Sequence, residues 1–273
     1  MKVLIGLLLL QLTGSEVTYS VKPGESLTRI GARFGVDVRV LASANGLKAD
    51  SFLRIGQQLK VNNRHIVPSF DDADIVINVP QRMLFFRDNE TVKAYPIAAG
   101  RSTWRTPTGA FTVATKEADP TWVVPPSIQE EMRRENKPVL TRVPPCDQNP
   151  LGGYWIGLNM PGVGIHGTNI PATIYSLVTH GCIRLRPDDI TELFAVARIG
   201  TRVRIVYEPV LIDREGSAVF LEVHPDAYKE GADPLKTVVD QATADGFVEM
   251  LDLSLVRKVI LARDGIARDV ARH

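Results

Sequence analysis

The run Thr179-His180-Gly181-Cys182-Ile183-Arg184-Leu185 sets a cysteine among a histidine, a glycine and an arginine, and a second His-Gly pair, His166-Gly167, begins sixteen residues before Cys182. These are the parts of a thiol acyl-transfer site. A thiol attacks a carbonyl as its thiolate, so a base such as an imidazole has to lie beside it. The imidazole needs an acceptor that orients it, and the tetrahedral intermediate needs N–H donors aimed at its oxyanion. Gly181 lacks a Cβ, which lets backbone amides approach a substrate closely. A helix is expected to begin near Pro187, with Asp188 and Asp189 in its first turn. Ile190, Leu193, Phe194 and Ala197 follow at helical spacing, with Gly200 as the stop. Cys182 precedes that start by several residues and a helix dipole fades within a turn. A histidine is therefore expected to supply most of the thiolate's stabilisation.

A zinc centre competes for the same side chains, because His166, His180 and Cys182 can all ligate zinc. No fourth ligand is evident, however, and neither C-x-x-C nor H-E-x-x-H spacing occurs. Neither a metal nor a cofactor is expected. His65, His224 and His273 have no companions in the sequence and read as solvated or structural.

His166-Gly167-Thr168, the interval that follows it and Thr179 to Leu185 together resemble the signature of the L,D-transpeptidases of the YkuD/ErfK family. Arg101 to Phe111 (R-S-T-W-R-T-P-T-G-A-F), Pro120 to Ile128 (P-T-W-V-V-P-P-S-I) and Asn149-Pro150-Leu151-Gly152 resemble further segments of that family, so the likeness runs from about Asp74 to Val210. It implies that Cys182 is the nucleophile, that His166 is its general base and later the acid, and that the carbonyl of Gly167 orients His166. It also implies oxyanion donors in the amides of Gly181 and Cys182. His180 and Arg184 would line the site and help position a peptide stem. Thr179 stands where serine is commoner and keeps the hydroxyl.

The reaction so implied is peptidoglycan L,D-transpeptidation. Cys182 is acylated by a tetrapeptide stem at the L-centre of meso-diaminopimelate with loss of D-alanine, and the acyl group passes to an amine. That amine would be a neighbouring stem (a 3→3 crosslink), a lysine of an outer-membrane lipoprotein or a free D-amino acid. Carbapenems are implied to acylate Cys182. The alternatives are an L,D-carboxypeptidase, in which water resolves the thioester, and a non-catalytic peptidoglycan-binding protein.

The chain opens with Met1-Lys2, an apolar run from Val3 to Leu12 and the small residues Thr13, Gly14 and Ser15. Residues 1–15 read as a secretory signal peptide, too short to span a bilayer comfortably. The expected location is thus secreted, in the periplasm or cell envelope. Only Cys146 and Cys182 occur. A pair in an oxidising compartment invites a disulfide, but that bond would silence Cys182. Both are expected to be reduced in the active protein, with Cys146 a loop residue. The 273 residues carry a net charge of +1 and show no basic stripe with interleaved aromatics. Nucleic acid is therefore not an expected partner, while the family resemblance implies peptidoglycan and, as acceptor, a lipoprotein.

The elements that must position these residues fall into three parts. In residues 18–62, a strand from Thr18 and a turn at Lys22-Pro23-Gly24 lead to a helix carrying Leu27, Ile30 and Phe34. A second helix carries Val38, Leu41 and Ala42, and a strand returns over Gln57 to Val61. This βααβ plan, with P-G-E-S-L, A-x-x-N-G-L and I-G-Q-Q-L-K-V, resembles a LysM module. That implies glycans containing N-acetylglucosamine, held by the loops after Gly24 and around Asn45 to Phe52. Residues 74–210 alternate at Ile75/Ile77/Val79, Met83/Phe85 and Val92/Ala94, with further strands at Ala110 to Ala114 and Thr201 to Tyr207. They predict a mainly β catalytic domain, a sandwich or barrel of YkuD type. Proline and glycine punctuate residues 120–167, where no element is assigned. Residues 211–273 read as a mixed α/β extension with a packing role. It has a strand at Val219 to Val223, a helix opened by Asp233-Pro234, and a helix carrying Leu255, Val256, Val259 and Ile260 that closes at Gly265.

Overall fold

The computed structural model describes residues 12–89, 91–231 and 233–272. Most of the expected leader, and His273, lie outside them. Six helices are described: α1 (Leu27–Phe34), α2 (Val38–Ala44), α3 (Pro126–Arg134), α4 (Pro187–Val196), α5 (Pro234–Ala244) and α6 (Leu253–Ala262). The chain divides into two units, one of residues 1–27, 36–69 and 208–273, the other of residues 28–35 and 70–207.

The second unit is built on one eight-stranded sheet. Across it the strands run Ile183–Arg184, Gly164–His166, Tyr154–Leu158, Gly109–Ala118, Arg202–Val206, Ile75–Asn78, Met83–Asp88 and Thr91–Pro96. Most neighbours are antiparallel. The exceptions are Arg202–Val206 against Ile75–Asn78 and Gly164–His166 against Ile183–Arg184. Ile75, Ile77, Leu84, Phe85, Ile156, Ile165 and Ile183 are fully buried. The two edges approach each other, because Ala98, just past the last strand, exchanges both backbone hydrogen bonds with Arg184 at 2.8 Å each. The sheet is therefore curled, and the mainly β architecture expected from the alternation is the one found. Residues 28–35 belong with it through Ala32, which packs with Ala98 and Ile174.

Two helices of this unit depart from expectation. No helix was assigned over residues 126–134, yet α3 forms there with proline at its start and Arg133 and Arg134 in its last turn. α4 begins at Pro187 as expected but stops at Val196, with Ala197 already extended. The end lies before Gly200 and is capped by a cation: the Lys116 ammonium donates to the carbonyls of Phe194 and Ala197, at 2.6 Å each.

In the first unit, Glu16–Ser20 and Gln58–Asn62 pair antiparallel with Tyr19 opposite Leu59, and α1 and α2 lie between them in the chain. The Asp37 side chain caps α2 by accepting from the amide of Arg39. The C-terminal part is a three-stranded sheet of Val210–Glu215, Ala218–Val223 and Arg268–Asp269. It shares an apolar core with α5 and α6 through Val219, Leu221, Val238 and Val256. Asp233 caps α5 as read from the sequence, whereas α6 ends at Arg263 in the left-handed region, two residues before the expected Gly265.

His65 and His224, which seemed to lack companions, share one. The buried Glu222 carboxylate accepts from His65 Nδ1 at 2.8 Å, from His224 Nε2 at 2.7 Å and from the amide of Ile66 at 2.6 Å. Burial alone would raise this carboxyl, but the charge of His65 and the hydrogen bonds of both imidazoles outweigh it and bring it from 4.5 down to about 2. A carboxylate depressed in the folded state contributes stability above its unfolded pKa and loses it as pH falls through the folded one. Urea unfolding should therefore show stability declining from about pH 4.5 towards pH 2, with a shallower decline in Glu222→Gln. At neutral pH that variant should be less stable by about 3 kcal/mol, because it leaves the imidazoles without their anion.

Candidate active site

The parallel pairing of Gly164–His166 with Ile183–Arg184 decides which side chains meet. Ile165 lies opposite Ile183, and His166 opposite Arg184. Both isoleucines are fully buried. Side chains alternate between faces along a strand, so burying Ile165 and Ile183 on one face turns His166, Arg184 and Cys182 to the other. There they line a single cleft of about 280 Å³ together with Thr179, His180 and Trp155. The structure thus brings together the sequence-predicted side chains of Cys182, His166, Arg184, His180 and Thr179, with Gly167 and Gly181 contributing backbone.

His166 is buried, and its Nδ1 donates to the carbonyl of Gly167 at 2.7 Å. That bond assigns the proton to Nδ1 and leaves the lone pair on Nε2, the form a general base needs. The Trp155 indole stacks on the ring with centroids 5.9 Å apart. Gly157 and Gly164 make room for the indole, since a Cβ on either would stand within 2.7 Å of its ring atoms. Burial, and after it the positive charge of Arg184, pulls the imidazole down to about 3, against the Gly167 and Leu151 carbonyls. The Cys182 thiol donates to the carbonyl of Gly162 at 3.2 Å. Burial pushes that thiol above its ordinary range, although the Gly164 backbone and Arg184 act the other way. Burial thus works against charge on both members of the pair, and Arg184 against an imidazolium but in favour of a thiolate.

The turn before Cys182 is braced from within. Thr179 Oγ1 donates to the carbonyl of Cys182 at 2.6 Å and accepts from the amide of Gly181 at 3.2 Å. One hydroxyl performs both tasks, which gives Thr179 a reason to keep it. Gly181 has φ +105°, and a Cβ there would stand 3.3 Å from the carbonyl oxygen of Arg105. Because the Gly181 amide is turned onto Thr179, the amide of Cys182 is the stronger candidate for an oxyanion donor.

Three groups at the site had no role assigned from sequence. The Asn149 side chain is buried and donates to the carbonyls of Pro120, Val143 and Pro144 at 2.8, 3.2 and 3.3 Å, while its oxygen accepts from the amide of Leu151. It ties together the base of the segment that crosses the cleft. Arg101 and Glu131 form the second and third groups, clustered with His180: the Glu131 carboxylate accepts from both Arg101 Nη2 and His180 Nε2. These hydrogen bonds, His180 first, hold its carboxyl below the usual range. Arg101 stood within a motif that gave it no function, and Glu131 falls in the stretch where α3 went unread. Cys146 is exposed and Cys182 half-buried, and both are free thiols. Among the described residues no cluster of three or more potential metal ligands occurs, and no helix is long and apolar enough to cross a membrane.

A profile of the L,D-transpeptidase catalytic domain matches residues 72–205, and a profile of the LysM domain matches residues 19–62. The chain is 34% identical to "Probable L,D-transpeptidase ErfK/SrfK" of Escherichia coli strain K12, over 78% of this chain and 71% of that one. It is 31% identical to "Probable L,D-transpeptidase YcfS" of the same strain, over 92% of this chain and 82% of that one. It is 32% identical to "Probable L,D-transpeptidase YbiS", again of that strain, over 78% and 72% of the two chains.

The protonation states carry a direct test. Iodoacetamide labelling of Cys182, followed by peptide mass so that Cys146 is counted separately, should accelerate about tenfold per pH unit across the neutral range. A flat rate between about pH 5 and pH 8 would instead reveal a standing thiolate–imidazolium pair.

Proposed function

The chain belongs to the L,D-transpeptidase family, and on that premise we propose that it is a cell-wall cysteine acyltransferase with Cys182 as nucleophile and His166 as base and acid. The observation that carries the reading is the placement of Cys182 and His166 on one face of the sheet, in one cleft, with Nδ1 of His166 committed to Gly167. In the first half-reaction Cys182 Sγ attacks the carbonyl that follows the L-centre of meso-diaminopimelate in a tetrapeptide stem. His166 Nε2 takes the thiol proton, and the amide of Cys182 donates to the oxyanion. Collapse breaks the peptide bond, and His166 returns the proton to the amine of the departing D-alanine. In the second half-reaction an amine attacks the thioester, gives its proton to His166 and restores the thiol. A neighbouring stem, a lipoprotein lysine or a free D-amino acid would serve as that amine.

The remaining parts fit the same reading. Residues 18–62 are proposed as the glycan-binding LysM module, residues 74–210 as the catalytic domain and residues 211–273 as a packing extension, with residues 1–15 a leader that directs the chain to the periplasm or cell envelope. In the LysM module, Phe52 is fully exposed at the end of the loop expected to meet sugar, and Ile55, just beyond that loop, is largely so. The extension contributes Glu222 to the buried cluster with His65, which suits a structural role.

Intact mass of the reduced protein treated with imipenem tests the chemistry. A single covalent adduct is expected on the wild type and none on Cys182→Ala. His166→Ala should react at least ~100-fold more slowly. A reduced wild-type protein that takes no adduct would overturn the acyltransferase and leave a peptidoglycan-binding protein. Muropeptide products formed with each class of amine then identify the acceptor.

A further inference from the structure

Helix α3 roofs the cleft through Pro125, immediately before it, and Ile128. It buries none of its nine residues, so apolar packing does little to hold it down. Gln129 Nε2 donates to the carbonyl of Val124, which lies in the same segment. Among the described residues, α3 reaches beyond that segment through the Glu131 carboxylate, one oxygen on Arg101 Nη2 and the other on His180 Nε2.

The two donors are fixed without help from the lid. The Arg101 amide donates to the carbonyl of Thr179 at 3.1 Å, and its guanidinium stands 5.8 Å from the centre of the Trp104 ring. His180 meets the same indole edge-on with centroids 4.9 Å apart, and is covalently two residues from Cys182. Arg101 Nη2 and His180 Nε2 are 3.1 Å apart. A guanidinium only donates, and a single ring nitrogen cannot accept from Arg101 while donating to Glu131. Both groups therefore converge on one carboxylate, and a lifted α3 would leave them converging on nothing. Arg101 Nε, on the same edge of the guanidinium as Nη2, is buried and has no hydrogen-bond partner among the described residues. Glu131 thus uses half of a fork that matches a carboxylate in two-point geometry.

We propose that Arg101 and His180 form a carboxylate subsite for the acyl donor, which Glu131 fills while α3 covers the cleft and yields when the donor's carboxylate arrives. The exchange replaces one anion with another, so the local charge balance is kept. The incoming group can take the Nε hydrogen that Glu131 leaves unused. The subsite favours donors with a free carboxylate over their amidated forms, and it couples donor binding to release of α3. The inference rests on the acyltransferase reading of Cys182.

The test is the concentration dependence of Cys182 acylation by imipenem, which carries a carboxylate, compared with alkylation by uncharged iodoacetamide. In Glu131→Gln the internal competitor is lost, and the half-saturating imipenem concentration should fall by about fivefold. Its iodoacetamide rate, which reports the access that a loosened α3 gives to a reagent without a carboxylate, should rise by a smaller factor, about twofold. In Arg101→Gln the half-saturating imipenem concentration should rise by about tenfold. If in Glu131→Gln the half-saturating imipenem concentration falls by no larger factor than the iodoacetamide rate rises, the variant only opens the cleft, Glu131 is a structural tie and the subsite is overturned. A wild-type protein that imipenem does not acylate brings down the acyltransferase reading, and this inference with it.

Discussion

Two positions of parallel pairing, Ile165 against Ile183 and His166 against Arg184, are the constraint on which the site depends. The segment that contributes Ile183 and Arg184 is two residues long, too short to be stable alone. It is held by reciprocal hydrogen bonds between Ala98 and Arg184 and by the bond from the Leu185 amide to the carbonyl of His166. Apolar burial then sets the register. A slip of one residue would drive Cys182 and Arg184 into the core and expose Ile183. The chemistry-bearing face is therefore selected by two isoleucines that touch none of the chemistry.

Desolvation, which makes that face selective, also sets its protonation. The cleft disfavours charge on Cys182 and on His166 alike, and Arg184 further disfavours an imidazolium. Separated charge is thus reserved for the moment of attack, when the oxyanion and its donors can offset it.

The legible parts of the sequence were those where local pattern and tertiary demand agree. The alternation at Ile75, Ile77, Met83 and Phe85 marked strands, Asp233-Pro234 marked the start of α5, and the spacing of His166 and Cys182 marked the cleft. What escaped was decided by residues far apart in the chain. The end of α4 is capped by Lys116, which lies in the distant strand Gly109–Ala118 and donates to the carbonyls of Phe194 and Ala197. The isolated look of His65 and His224 came from reading two positions joined only by Glu222. Glu131 was hidden for a related reason: α3 has no buried stripe, so the periodicity that reveals most helices is absent.

That missing stripe also describes how the segment over the cleft can move. Its base is closed twice, by the pairing of Trp122–Val123 with Arg142–Val143 and by the three carbonyls gathered on Asn149. Breaking the base would leave the buried Asn149 amide unsatisfied, a penalty of about 1–3 kcal/mol before the strand pairing is counted. Its tip, α3, has one carboxylate reaching across to Arg101 and His180, in a half-exposed setting where water screens the attraction. Local opening follows the path of fewest buried contacts, so the base stays shut and α3 is the part free to lift. A lid hinged in this way uncovers the face of Cys182 without disturbing the parallel pairing that placed Cys182 there.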